Sequence, residues 1–278
     1  MPGRLPSFLI VGAAKSGTSS LWHYLREHPD VFVPPRKEIN FFDDARVYAQ
    51  GVDWYKSLFA EAGHRKAVGE ATPAYLTSPE AHTRMAALVP DARLVVILRN
   101  PVDRAYSHYL HARYYALERS SFAEAVERER SSPDGTAWPY YLLHSRYRVH
   151  LESLTEHFPR DQILVLLLDD LEQDPVETFR TLCRHLAIDE SVIPKNVGEV
   201  TNRYREPRLP RVFRQILKPG VWKRIPLAIR PKVARIFTKE DREPEPLDPR
   251  IREELTAHFA EDNRRLGEWL GRDLSAWS

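Results

Sequence analysis

Phe8-Leu9-Ile10-Val11-Gly12 is an apolar run that leads directly into Ala13-Ala14-Lys15-Ser16-Gly17, a turn of small residues around one lysine. Bulky apolar residues in such a run are typical of a strand that is buried on both faces. Thr18-Ser19-Ser20 then begins an amphipathic helical segment. Backbone N–H groups in the turn and at the helix N-terminus can point at one anion, and Lys15 adds a mobile positive charge. The stretch therefore predicts a strand–turn–helix unit that binds a phosphate group through residues 15–20.

This turn differs from a Walker A loop, in which lysine directly follows the second glycine and the next residue is a Ser or Thr that binds magnesium. In this chain Lys15 precedes Gly17 by two residues. Turns rich in glycine and other small residues are common, so this stretch alone leaves an ordinary strand–turn–helix with a surface lysine as the alternative.

A second apolar run, residues 92–98, ends in Arg99-Asn100-Pro101 and continues to Ser107. Asn100 is a suitable N-cap and Pro101 suits the first position of a helix. Arg99 is then expected at the carboxyl end of a strand, and Ser107 about two turns up the following helix. A guanidinium and a hydroxyl over the edge of a parallel sheet predict a second phosphate site. One nucleotide with two separated phosphate groups would occupy both sites.

The two stretches resemble the 5′-phosphosulfate loop and the 3′-phosphate motif of sulfotransferases that use 3′-phosphoadenosine 5′-phosphosulfate (PAPS). Within that family the chain is most similar to the carbohydrate branch, typified by heparan sulfate N- and O-sulfotransferases. The resemblance runs in order from Phe8 to about Ile188. Its further motifs are His28-Pro29-Asp30-Val31, Lys37-Glu38-Ile39-Asn40-Phe41-Phe42-Asp43, Gly51-Val52-Asp53-Trp54-Tyr55, Glu70-Ala71-Thr72-Pro73-Ala74-Tyr75 and Gln162-Ile163-Leu164-Val165.

The resemblance implies a role for each residue that matches these motifs. Lys15 stabilises charge on the departing phosphate, Glu38 is the base that takes the acceptor's proton, and Arg99 and Ser107 hold the 3′-phosphate. Sulfuryl transfer to an alcohol needs such a base and such a positive charge on independent chemical grounds. No metal ion is expected, because a sulfuryl group carries less charge than a phosphoryl group.

The surroundings of Glu38 are predicted from its neighbours. Pro34-Pro35 favours an extended segment before it, and Phe41 and Phe42 can pack into the core. We therefore expect Glu38 in a partly apolar setting. The alternative is a solvated loop carboxylate beside Lys37, since most glutamates are solvated.

Three further parts of the chain are candidates for ligand contacts. Glu70 is expected to orient Lys15 or the acceptor, or else to be a structural carboxylate at a strand end. Tyr147 resembles a tyrosine near the family's active cleft, and a packed helix tyrosine is the alternative. The basic segment 203–239 lies where the family has a loop over the donor, and in it Arg205 and Arg208 are candidate donor contacts. This segment is read as a lid and acceptor site, as a lipid-binding surface or as a solvated basic face.

The coarse pattern places strands near residues 7–12, 66–69, 93–98 and 162–167, each followed by a helical segment. Two helices are predicted around Tyr140–Phe158 and Pro175–Leu186. The alternation predicts an α/β fold, a three-layer parallel sheet with helices on both faces in one domain, 1–278. A basic lid or acceptor segment would occupy 200–245, with a linker over 240–250. A C-terminal helix that ends near Trp269 would lie within 246–278.

Composition restricts the function classes. A formal net charge of +2 over 278 residues argues against a dedicated nucleic-acid binder. The single cysteine, Cys183, lies among apolar residues at helical spacing and is expected in the core. One cysteine cannot form an intrachain disulfide, and no apolar run reaches the length of a membrane span. We therefore expect a cytoplasmic enzyme.

The function that these patterns favour is sulfuryl transfer from PAPS to a hydroxyl, with an amine as second choice, of a glycan or a small natural product. The sequence leaves two alternatives. One is a P-loop kinase, which would need magnesium and ATP. The other is a nucleotide-binding or membrane-peripheral protein without turnover.

Overall fold

A computed structural model describes residues 3–115, 117–132, 139–199, 206–207, 241–242 and 245–277. The chain divides into two compact units. The first lies within Met1–Asn100, Arg146–Asn202 and Ala260–Ser278, and the second within Pro101–Ser145 and Arg203–Phe259. The prediction of one domain over 1–278 stays a prediction. Most of the basic segment 203–239, including Arg205 and Arg208, lies outside the described residues.

Five parallel strands form the sheet of the first unit. They are β1 (Phe8–Gly12), β2 (Val31–Phe32), β3 (Ala67–Ala71), β4 (Arg93–Leu98) and β5 (Ile163–Leu167). Their order is β2-β3-β1-β4-β5. The four strands predicted from apolar runs are confirmed. The sequence analysis missed β2, because two residues are too few to show a strand pattern.

The described helices are numbered in chain order. They are α1 (Thr18–Arg26), α2 (Ala45–Tyr48), α3 (Gly51–Ser57), α4 (Pro79–Leu88), α5 (Pro101–Tyr114), α6 (Phe122–Arg130), α7 (Tyr147–Thr155), α8 (Leu168–Gln173), α9 (Pro175–Leu186) and α10 (Pro249–Leu270). Short 3₁₀ turns cover Ala60–Ala62, Pro73–Thr77, Leu143–Ser145, Arg160–Gln162 and Ser275–Trp277. None of the helices in these described ranges is long and apolar enough to cross a membrane.

Side chains that alternate along the strands bury the sheet on both faces. In β1, Leu9 and Val11 join a core with α3, α4, α7 and the end of α10. Phe8 and Ile10 point to the opposite face and pack with α1, α8 and α9. The alternation follows from the two-residue period of a strand. The predicted three-layer α/β architecture is therefore confirmed.

The two long helix predictions have different outcomes. Pro175–Leu186 is confirmed as α9, whose N-cap Asp174 accepts a hydrogen bond from the Glu177 N–H at 3.0 Å. The helix predicted over Tyr140–Phe158 is wrong at both ends. Its first residues instead donate their N–H groups to the buried Glu129 carboxylate, and a 3₁₀ turn precedes α7. For these N–H groups, a side-chain carboxylate thus replaces the backbone carbonyls that would accept them in a helix.

Cys183 is buried in α9, so its predicted place in the core is confirmed. Burial raises the pKa of its thiol to about 12. Because the thiolate is the reactive form, this cysteine is chemically inert near neutral pH.

The second unit has its own apolar core, built from α5, α6 and α10. The guanidinium of the buried Arg104 donates to Ser145 Oγ and to the Tyr141 carbonyl, both at 2.6 Å. The predicted C-terminal helix is confirmed as α10, which ends at Leu270. The expected linker over 240–250 contains instead a strand, β7 (Asp241–Arg242), which pairs antiparallel with β6 (Glu206–Pro207).

The strand order places β1 at a topological switch point. The chain builds β2 and β3 on one side of β1 and then crosses to build β4 and β5 on the other. Ligands of open parallel sheets bind at the carboxyl ends of the strands at such a point. The small-residue turn leaves β1 at that place. Gly12 is required there, because a Cβ would lie 2.5 Å from Leu76 Cβ.

The buried histidine of α4, His82, makes the stability of the fold depend on pH. Its Nε2 donates to the Leu76 carbonyl at 3.2 Å, and its Nδ1 lies 3.1 Å from Ser153 Oγ. Burial lowers the pKa of His82 from 6.5 to about 4. The unfolded chain therefore binds a proton first as the pH falls from 6.5 towards 4, which destabilises the native state.

We expect this histidine to remove about 2 kcal/mol of the free energy of unfolding between pH 7.5 and pH 5, at roughly 1.4 kcal/mol per pKa unit. Urea unfolding at both pH values measures the loss. His82→Gln should lose about that much less than wild type over the same interval. His64→Gln, an exposed control away from His82, should behave like wild type. An equal pH-dependent loss in His82→Gln and wild type would contradict the prediction.

Candidate active site

The turn after β1 has the backbone of an anion site. Lys15 has a φ of 72° and Gly17 a φ of 106°. A Cβ on Gly17 would lie 3.1 Å from Leu168 Cδ1 and 3.3 Å from Ile97 Cδ1, so both conformation and space require glycine. Gly17 is the N-cap of α1, without a side-chain cap.

One polar atom of this turn is available for a hydrogen bond to a ligand. Ser16 is fully buried, and its Oγ has no hydrogen-bond partner among the described residues. The first turn of α1, which begins at Thr18, also has no acidic residue. Buried polar groups are costly when unpaired, and a helix N-terminus favours an anion. The residues predicted to bind a phosphate or phosphosulfate group thus fit such a group.

Glu38 lies on the loop between β2 and α2 and has a φ of 62°. Its N–H donates to the Ala71 carbonyl at 3.2 Å, which brings it to the carboxyl end of β3. Phe41 and Phe42 are fully buried, as predicted. The partly apolar setting expected for the Glu38 side chain is not found, since that side chain is 54% exposed. The positive φ turns it away from the core that its aromatic neighbours enter.

Lys37 contacts both Glu38, the candidate base, and the first residue of α1. These two contacts were not predicted from the sequence. Its Nζ lies 3.3 Å from Glu38 Oε1 and 3.4 Å from Thr18 Oγ1. The Lys37 side chain is only 17% exposed. Burial lowers its pKa, while the Glu38 carboxylate opposes that shift. The Lys-Glu pair is the only sequence signal for this contact, and it gives no hint that the ammonium reaches α1.

Glu70 in β3 is the centre of a buried hydrogen-bond network. Its carboxylate accepts hydrogen bonds from Tyr55 Oη and Tyr75 Oη at 2.8 Å and from Thr72 Oγ1 at 2.6 Å. The Glu70 side chain is 1% exposed. Burial raises its pKa, and the three hydroxyl donors act in the opposite direction.

The same hydroxyls hold the loop that carries Glu38. Thr72 Oγ1 accepts the Ile39 N–H at 3.1 Å, and Tyr75 Oη accepts the Phe41 N–H at 3.0 Å. Glu70 therefore orients two hydroxyls that hold the backbone next to Glu38. These contacts favour the structural alternative for Glu70, and its predicted contact with Lys15 or acceptor stays a prediction.

Asn40 and Asp43 complete the loop and were also missed. Asn40 has a φ of 59°, and its Nδ2 donates to both Asp43 carboxylate oxygens at 3.1 and 3.2 Å. Burial raises the pKa of Asp43, and the nearby Glu38 carboxylate adds to that shift. The loop thus presents polar groups beside the candidate base.

The remaining predicted site residues are placed as follows. Arg99 directly follows β4, and its carbonyl accepts a hydrogen bond from Tyr147 Oη at 2.8 Å. Tyr147 is 2% exposed, which favours the packed helix tyrosine over an acceptor contact. Ser107 is half-buried on α5, in the second unit. The joint 3′-phosphate site of Arg99 and Ser107 stays a prediction.

Within the described part of the chain, no group of three or more His, Cys, Asp or Glu side chains could hold a metal ion. The described chemistry at the carboxyl edge of the sheet consists of lysine ammonium groups, hydroxyls, carboxylates and a helix N-terminus. The fold and this site together define an α/β protein whose turn at the end of β1 fits a phosphate-like group.

Comparison with known proteins identifies the family. The family model described as "Sulfotransferase domain" matches residues 5–204. The chain therefore belongs to the sulfotransferase family, as its motifs predicted. This membership argues against the kinase alternative.

Curated relatives include human heparan sulfate glucosamine 3-O-sulfotransferase 6, which is 37% identical over 176 residues, 63% of this chain and 50% of the relative. Mouse bifunctional heparan sulfate N-deacetylase/N-sulfotransferase 4 is 29% identical over 98% of this chain and 31% of its own length. The chain thus spans half or less of these relatives. Among solved structures, a sulfotransferase from Alicyclobacillus acidocaldarius is 32% identical, with a TM-score of 0.73 and 99% of both chains covered.

We expect Tyr75→Phe to destabilise the protein by about 1–3 kcal/mol, because it leaves the buried Phe41 N–H without an acceptor and Glu70 without one donor. Tyr48→Phe is the matched control. Tyr48 packs against Phe41 at a ring-centroid distance of 5.2 Å, and its hydroxyl makes no hydrogen bond to a described residue. Chemical denaturation of both variants measures the difference, and equal stabilities would show that the network does not hold the loop.

Proposed function

We propose that this chain transfers the sulfuryl group of PAPS to a hydroxyl group, with an amine as second choice. The observation that carries the proposal is the contact of Lys37 with both Thr18 and Glu38. It sets a half-exposed carboxylate beside a turn whose buried Ser16 hydroxyl lacks a partner among the described residues. A candidate base and an anion site therefore adjoin, as in-line transfer requires.

The mechanism follows from these groups. Glu38 accepts the proton of the acceptor hydroxyl as its oxygen forms a bond to sulfur. The bond between sulfur and the bridging oxygen of the donor breaks, and its electron pair stays on the departing phosphate. Lys15 and the N-terminus of α1 stabilise the charge that develops there. The Glu70 network keeps Glu38 at the carboxyl edge of the sheet while the proton moves.

We propose a glycan as the acceptor, with a small natural product as the alternative. Both curated relatives are named as heparan sulfate sulfotransferases, which supports a carbohydrate acceptor. Donor contacts by Arg205 and Arg208 and a basic lid over 200–245 remain part of the proposal. Cytoplasmic localisation is also part of the proposal, and it rests on the single, buried cysteine.

Two substitutions test the chemistry. Lys15→Ala should lower kcat by roughly two to three orders of magnitude, because one preorganised charge-stabilising group is lost.

Glu38→Gln should also collapse kcat, since the amide cannot take a proton, while calorimetry should show nearly unchanged PAPS binding. Glu61→Gln, in an exposed turn, is the control for the charge change. Near-normal turnover in Lys15→Ala or Glu38→Gln would remove that residue from the mechanism.

The nucleotide is tested at the second phosphate site. If Arg99 and Ser107 hold the 3′-phosphate, wild type should prefer adenosine 3′,5′-bisphosphate to AMP, since a charge-assisted contact contributes about 1.5–3 kcal/mol. Arg99→Ala/Ser107→Ala should lose most of that preference while AMP binding stays unchanged. Competition binding measures the ratio, and thermal melting checks folding. An unchanged ratio in a folded double variant would overturn the 3′-phosphate assignment.

A further inference from the structure

Lys37 is a largely buried ammonium whose charge is incompletely compensated by the described residues. Glu38 is the one carboxylate of a described residue within ion-pair distance of its Nζ, at 3.3 Å. The Glu38 side chain is 54% exposed, whereas that of Lys37 is 17% exposed. Solvent screens such a pair, so the attraction offsets only part of the cost of burying the lysine. A second anion on the Thr18 side would complete the compensation.

The surroundings of Thr18 add positive potential to the same place. Thr18 is the first residue of α1, and the dipole of that helix gives its N-terminus a partial positive charge. The first turn contains no acidic residue to offset it. Lys15 belongs to the turn that precedes this helix. A second lysine placed here is unfavourable for the empty protein and favourable for a bound anion.

Lys37 contacts two groups with different proposed tasks. One is Thr18 at the N-terminus of α1, where the anionic group of the donor is proposed to bind, and the other is Glu38, the proposed base for the acceptor's proton. While Lys37 pairs with Glu38, part of the lone-pair capacity of that carboxylate is occupied. An anion that draws the ammonium towards Thr18 would release the carboxylate.

We propose that Lys37 exchanges partners during the reaction: it pairs with Glu38 before the donor binds, and with the sulfuryl oxygens of PAPS afterwards. This inference rests on the proposed function. Donor binding then frees Glu38 for the acceptor, which couples the presence of the donor to the availability of the base. In the proposed function Lys15 stabilises the departing phosphate, so the two lysines have separate tasks.

The test compares PAPS with adenosine 3′,5′-bisphosphate, which lacks the sulfuryl group. Both are titrated calorimetrically into the full chain without an acceptor. Lys37→Met keeps the length of the side chain and removes its charge. We expect it to weaken PAPS binding by about ten- to a hundredfold, the effect of one lost charge-assisted hydrogen bond, and to change bisphosphate binding less than about twofold.

Three variants separate this contact from other effects. Lys66→Met removes a lysine that pairs with Asp30 at 2.8 Å and is 60% exposed, and it should bind both nucleotides like wild type. Lys37→Arg keeps the charge and should recover most of the PAPS affinity. Lys37→Met/Glu38→Gln removes any repulsion between an unpaired Glu38 and the donor. The selective loss of PAPS affinity should persist in this double variant.

An unchanged ratio of the two affinities in Lys37→Met would overturn the proposal, and so would an equal loss for both nucleotides. Recovery of PAPS binding in Lys37→Met/Glu38→Gln would also overturn it, because repulsion by Glu38 would then explain the single variant. These failures differ from failure of the proposed function. In that case wild type itself would bind neither nucleotide and transfer no sulfuryl group.

Discussion

The burial of the Glu70 carboxylate is the constraint on which the candidate site depends. A buried carboxylate is tolerated only when its oxygens are hydrogen-bonded, and three hydroxyls serve this one. Two of them also accept N–H groups of the loop that carries Glu38. The positive φ angles of Glu38 and Asn40 cost of order 1–3 kcal/mol each. The loop keeps that conformation because hydrogen bonds to the buried network fix its backbone.

The fold was predictable where burial on both faces leaves an unbroken apolar run. Apart from Arg93, every residue of β1 and β4 is buried, so their runs are almost entirely apolar and their limits were clear. β2 has two residues and no such run. The error over Tyr140–Phe158 has a different cause, since the acceptor that interrupts the helix is Glu129, a residue on α6. No local pattern shows a contact between segments so far apart along the chain.

The residues of the candidate site also divide into those that a sequence pattern indicates and those that it does not. Lys15 and Glu38 could be chosen as candidates because their motifs resemble those of a family, and the small residues of the turn indicate that it could bind an anion. The contact of Lys37 with Thr18 joins residues 19 positions apart, and depends on how the loop reverses at Glu38. The predicted partly apolar setting of Glu38 was wrong, because the aromatic neighbours of this residue indicate only where they themselves pack. They do not indicate the direction of a side chain at positive φ.

Two glutamates of one sheet edge therefore have opposite surroundings and distinct tasks. Glu70 is 1% exposed and has its oxygens occupied by Tyr55, Thr72 and Tyr75. Such a carboxylate can orient hydroxyls, and an incoming alcohol cannot reach it. Glu38 is 54% exposed, and its contact among the described residues is a lysine that an anionic donor can attract. A base must be within reach of the substrate proton, so accessibility favours Glu38 over Glu70 as the proposed base, and the buried contacts of Glu70 suit it to holding the loop.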